Sequence, residues 1–243
     1  VAWSGQDTGY ARIPTDSEIN LQDNTRYLHI TSNETIGGIQ YKAWPGVPVP
    51  LVADMSSDIM SRQISWERFD VVYGGVQKNL APAGLALVVI RRSALENSSR
   101  DLASYFRYDV LAAKGSMYNT PPVFPIYVMD KVLRWVEDHG GLPAMQAAAD
   151  ARASLLYTAI DDSDGFYTNP VEPDDRSIMN VVFRLADKNL EAPFLAAAAE
   201  RGMVGLKGHR SVGGCRASLY NAMPLAGVEA LCGLMTDFAR TAS

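Results

Sequence analysis

Two textures of hydrophobic and polar positions follow one another along the chain. Up to about residue 120 the apolar residues come in short, β-rich runs. Residues 26–31 (RYLHIT) alternate in the manner of a half-buried strand. Residues 47–53 (VPVPLVA) form a short apolar run that ends at Asp54, and the prolines place its start at a sheet edge or in a loop. Residues 69–76 (FDVVYGGV) and 84–91 (GLALVVIR) are two further strand candidates, joined by a connection with turn chemistry, QKNLAPA. Val, Leu and Ile on both faces of these runs predict a sheet covered on both sides.

After residue 120 the period lengthens. Residues 123–138 predict a helix, stopped by Gly140-Gly141. Pro143 opens a second, alanine-rich helix through about Ile160. Residues 161–176 read as a polar loop, 178–185 as a strand, 190–202 as a helix and 216–220 as a strand. Pro224 starts a last helix whose Val228, Leu231, Cys232, Met235, Phe238 and Ala239 make a core-facing stripe. The expected class is α/β, with a strand-rich part over 1–145 and a smaller α+β unit over 146–243.

Composition narrows the function. With 243 residues, 47% hydrophobic and 20% charged, the chain is long enough for a real core and is not a disordered one. A net charge of −5 and no basic run speak against a grip on nucleic acid. No apolar run approaches the ~20 residues of a membrane helix. Cys215 and Cys232 are neither a disulfide framework nor a CxxC zinc pattern, so no metal site is expected and a reducing cytoplasm is. Residues 1–25 are polar and irregular, begin at Val1 and lack the layout of a secretory signal. They read as the interior of something longer.

Candidate chemistry sits at strand ends. Lys78 follows Gly74-Gly75-Val76-Gln77, at the turn after an apolar strand. A lysine held there and partly desolvated has a lowered pKa and can form a Schiff base, although an exposed hairpin lysine is the commoner case. Asp54 ends another strand. Such a carboxylate usually caps the next segment, but it can also pair with a protonated pyridine nitrogen. Around Gly213-Gly214, Arg210 and Arg216 could fork onto carboxylate or phosphate, with His209 beside them; solvated arginines in a surface turn are the bland alternative. Asn119 and Thr120 precede a helix, where they would cap it or hold a phosphate.

Taken together, SNETIGGI (32–39), LVADMSSDIMSR (51–62), YGGVQKNLAPAGL (73–85), SMYNTPP (116–122), GFYTNPV (165–171), RSIMNVVF (176–183) and LKGHRSVGGCRASLYNAMP (206–224) are similar to the phosphoserine aminotransferases. These are class-V, fold-type I enzymes that use pyridoxal phosphate. The resemblance implies an incomplete fold-type I large domain and a small C-terminal domain. It implies Lys78 as the Schiff-base lysine and proton carrier, Asp54 on the pyridinium, Thr35 near the ring hydroxyl and Gln77 on the cofactor phosphate. Asn119 and Thr120 would reach the phosphate of a partner subunit's cofactor in a homodimer. Arg216 would grip the substrate α-carboxylate, and His209 and Arg210 of the partner chain would approach the distal anionic group. The implied reaction exchanges the amino group between O-phospho-L-serine and 2-oxoglutarate in serine biosynthesis, with pyridoxine biosynthesis a further family role.

Members of that family are longer at the N-terminus. Their extra part supplies a ring-stacking aromatic, more phosphate-binding backbone and a His-Arg pair, for which residues 1–25 hold no equivalent. The expectation is that these 243 residues alone bind cofactor poorly and turn over little. Two other readings stand beside this one: a class-V aminotransferase with another amino donor, and a non-catalytic dimerisation module.

Overall fold

A computed structural model describes residues 1–97 and 101–242. Its main sheet orders four strands β1-β4-β5-β6. These are β1 (Leu28–Thr31), β4 (Leu51–Asp54), β5 (Val71–Gly75) and β6 (Ala86–Ile90). β1, β4 and β5 are parallel, and β6 returns antiparallel after the Val76–Leu85 turn. A short ribbon, β2 (Asn33–Glu34) with β3 (Ile39–Gln40), follows β1 directly.

β1 and β4 alternate buried and open positions. The buried set packs Leu28, Ile30, Leu51, Ala53 and Met55 with Val72, Val76 and Leu80. The opposite face, bearing His29, Thr31 and Asp54, is open or half-open. Among the described residues, nothing covers that face. Runs of Val and Leu suit covered and open faces alike, and only packing separates them. The apolar run over 47–53 enters the sheet only at Leu51, its proline-bearing start lying outside the ladder as expected, since the prolines at 48 and 50 have no N–H to donate.

α1 (Arg92–Glu96) and α2 (Tyr108–Ala113) come next and were not foreseen; both are too short for a clear period. α3 (Val123–Asp138) ends where expected, and α4 (Gly141–Asp161) carries its proline in the first turn, where no N–H is needed. Asn119 and Thr120 do not cap α3: its N-cap is Pro122, with no side-chain bond.

The C-terminal sheet runs β7-β8-β9, all antiparallel: β7 (Tyr167–Thr168), β8 (Asn180–Leu185) and β9 (Cys215–Ser218). β7 lies inside the segment read as a loop, two residues being too few to leave a pattern. α4, α5 (Glu191–Glu200) and α6 (Leu225–Ala242) cover this sheet around Leu156, Phe183, Phe194, Leu231 and Met235. The foreseen stripe of α6 faces this core, with Cys232, Phe238 and Ala239 partly buried at its margin. α3 packs Met129 and Leu133 on the first core, and α4 joins α3 to α6. Among the described residues, no helix is long and apolar enough to cross a membrane.

Candidate active site

The parallel strands carry their chemistry at their C-terminal ends, where open α/β sheets gather it. Asp54 closes β4, and its Oδ1 accepts from the Ser56 N–H at 2.8 Å. That bond turns the chain away from the sheet and leaves the carboxylate half-exposed. Ser56 also ties down the next strand, its Oγ accepting from the Gly75 N–H at 3.0 Å. The approach is close enough that a Cβ on Gly74 would meet the Ser56 Cα at 3.2 Å. Glycine is required there for space.

Lys78 leaves this turn half-buried. Burial pushes its amine below the usual lysine range; the Asp54 charge opposes that, Arg216 adds to it, and Glu34 opposes it again. The amine, the strand-end acid and the arginine therefore share one electrostatic neighbourhood. Arg216 projects from β9, and its Nη1 donates to the Thr35 carbonyl at 3.0 Å. Its Nε is buried with no protein partner. Glu34 accepts from the Ile36 and Gly37 N–H groups, which pins the bend that presents Thr35.

Four of the residues read from the sequence are thus brought together: Asp54 and Arg216 act on Lys78, and Arg216 holds the Thr35 carbonyl. Gln77 is exposed beside Lys78, its amide packed over Gly75. His209 and Arg210 lie in the 208–214 loop, where His209 Nδ1 is 2.7 Å from Ser211 Oγ. Gly208, Val212 and Gly213 of that loop line a small cavity together with Arg216 and Ile36. Asn119 and Thr120 stand in an exposed segment before α3; the Asn119 amide donates to the Thr120 carbonyl at 3.1 Å.

Reading motifs alone overlooked the groups that lock this site. Buried Asn33 donates to Ser57 Oγ at 2.8 Å and to Asn180 Oδ1 at 2.9 Å, while Ser177 donates to Asn33 Oδ1. Asn79, next to Lys78, accepts from the Asn221 N–H at 3.1 Å. Buried Asp58 takes hydrogen bonds from Ser32 and Gln40 and pairs with Arg62 at 3.5 Å. Burial pushes its carboxyl up, against the pull of the Arg62 cation. These residues stand among other polar ones, so the sequence pattern carried no signal that they are buried.

The family profile of class-V aminotransferases matches residues 3–231. The phosphoserine aminotransferase of Niallia circulans is 50% identical over 242 residues, covering 99% of this chain and 67% of that protein. The chain belongs to the phosphoserine aminotransferase family. The Bacillus subtilis (strain 168) member is 45% identical over 235 residues, with 97% and 65% covered. Among solved structures, phosphoserine aminotransferase from Bacillus circulans subsp. alkalophilus superposes with a TM-score of 0.97 at 50% identity, over 100% of this chain and 68% of that one. The pyridoxal-phosphate-bound phosphoserine aminotransferase from Trichomonas vaginalis gives 0.88 at 37% identity, over 93% and 64%. The chain thus spans about two thirds of the length of the family members it matches.

Proposed function

We propose that this chain carries the catalytic lysine, the ring-nitrogen acid and the carboxylate-binding arginine of a phosphoserine transaminase. The reaction is exchange of the amino group between O-phospho-L-serine and 2-oxoglutarate, in serine biosynthesis. One observation carries the reading: a half-buried amine at Lys78, its pKa lowered by burial, placed in the field of both Asp54 and Arg216.

The residues fit pyridoxal phosphate. The donor set supplies an amine and an acid from neighbouring strands, held close by the Gly74 contact with the Ser56 backbone, and an arginine with a buried, unpartnered Nε. Bound there, the cofactor supplies an electron sink for charge developing at the substrate Cα. Asp54 would pair with the ring nitrogen and favour its protonated form. Thr35 would hold the ring-hydroxyl side of the cofactor, and Gln77 would help hold its phosphate. Lys78 Nζ, deprotonated more readily than a solvated lysine, takes and returns the Cα proton. Arg216 forks onto the α-carboxylate, which fixes the Cα–H bond relative to Lys78.

The remaining residues belong to a homodimer. Phe106, Val123, Phe124 and Tyr127 are exposed around Asn119 and Thr120, an apolar stretch that suits burial against a second copy. Across that interface Asn119 and Thr120 would reach the partner's phosphate site, and His209 and Arg210 the distal anionic group of the partner's substrate.

The test is an absorbance scan of the full-length protein with pyridoxal phosphate. A visible band removed by borohydride is expected, and Lys78→Ala should abolish it. A band that survives in Lys78→Ala refutes the assignment.

A further inference from the structure

The face of the sheet that carries Asp54 also holds two groups without a role in the preceding reading, Tyr73 and His29. Asp54 is in register with Thr31 on β1 and with Tyr73 on β5, so the three side chains form one row. His29 stands two residues before Thr31 and therefore on the same face. Its Nε2 lies 3.0 Å from the Tyr73 hydroxyl, with the ring centroids 5.9 Å apart. Tyr73 is the cross-strand neighbour of Asp54 on the same face, and the Asp54 charge is among the groups that raise its phenol. The carboxylate also accepts from the Ser56 N–H.

Proton counting sets the direction of this relay. A phenol has one proton, and an ionised carboxylate only accepts. Between a carboxylate neighbour that only accepts and an imidazole that can donate, the consistent arrangement sends the Tyr73 proton towards Asp54 and leaves its oxygen to accept. His29 must then donate, so a neutral His29 carries its proton on Nε2. Burial and the adjacent Asp54 charge hold the Tyr73 phenol above its ordinary value, so it stays a donor. Tyr108 and Tyr27 are the other titratable groups that face it, and both act in the same direction.

We propose that Tyr73, with His29 behind it, is a positioning residue for Asp54: the relay fixes the carboxylate so that it meets the ring nitrogen of pyridoxal phosphate in one orientation. The proposal rests on the assignment of Asp54 made in the preceding subsection. Neither residue touches the substrate; each acts through the acid.

The test uses the full-length enzyme, with and without cofactor. Without cofactor, nitrogen NMR of the His29 ring should report the Nε2–H tautomer, and Tyr73→Phe should release it to a mixture. An Nδ1–H ring in the parent overturns the relay. With cofactor, Tyr73→Phe should lower kcat about tenfold, the effect of one lost hydrogen bond to a charged group. The donor KM should stay within about twofold, because binding in the ground state is untouched. The pH titration of the visible band should move, and His29→Asn should shift it the same way by less. Because Tyr73 acts through Asp54, adding Tyr73→Phe to Asp54→Asn should cost nothing further. A Tyr73→Phe enzyme with the parent's kcat and band titration, or losses that add, overturns the proposal. A parent without the band, or a band that survives Lys78→Ala, refutes instead the underlying assignment, whatever tautomer His29 shows.

Discussion

Lys78 illustrates how a residue can be costly to the fold and needed by the site. Burial disfavours its ammonium, so folding is opposed by a charge that water would otherwise solvate. Its folded pKa lies below the ordinary lysine value of 10.5. The unfolded chain therefore binds more protons between those two values, and stability rises with pH across that window. Lys78→Met is expected to raise the melting temperature of the cofactor-free protein at neutral pH. The gain should shrink as pH approaches 10.5, which a melting series read by circular dichroism would follow. A variant no more stable than its parent at neutral pH would show that Lys78 is solvated. This lysine and Asp54 were legible in the sequence because each ends an apolar run at a turn. Ser56 and Glu34 were not, since a serine or glutamate in a loop has no pattern of its own. Their work is defined by backbone N–H groups that come near only after folding.

Elements meet at this site through buried polar side chains. Ser177 Oγ accepts from the N–H groups of Met179 and Asn180, at 3.0 and 2.9 Å, and donates to Asn33 Oδ1. It thereby starts β8 and joins that strand to β2. Ser177→Ala leaves these buried groups without their partner and should cost at least about 1–3 kcal/mol in urea unfolding. A loss under about 0.5 kcal/mol, as at an ordinary surface position, would mean that water replaces the hydroxyl. Long elements were readable: α6 from a stripe repeated over several turns, α3 and α4 from the glycine stop, the proline start and the alanine content that bound them. α1, α2 and β7 were not, since one or two turns or a pair of residues carry no period. The exposure of the Asp54-bearing face was not legible for a related reason. β-Branched residues suit a half-open face as readily as a closed one.

For the whole molecule, the separation between the two groups of site residues becomes a prediction. Lys78, Asp54 and Arg216 gather on one side, while Asn119 and Thr120 stand on an exposed apolar segment. If they serve a partner's site, two defective subunits should repair each other. Lys78→Ala subunits mixed with Asn119→Ala/Thr120→Ala subunits should form hybrids in which one of the two sites is intact. Recovered activity in purified hybrids supports the crossed arrangement. Hybrids no better than the doubly substituted parent would place Asn119 and Thr120 in their own subunit's site.

The amide and hydroxyl lattice around Asn33, Ser177 and Asn180 acts as a weld between the two sheets. Arg216 reaches Thr35 across that same seam. The C-terminal unit therefore cannot swing away from the lysine to admit a guest without rupturing several dry contacts at once. The seam is thus a stiff wall on the Arg216 side of the lysine, and a guest has to be accommodated by side chains and not by parting the two sheets.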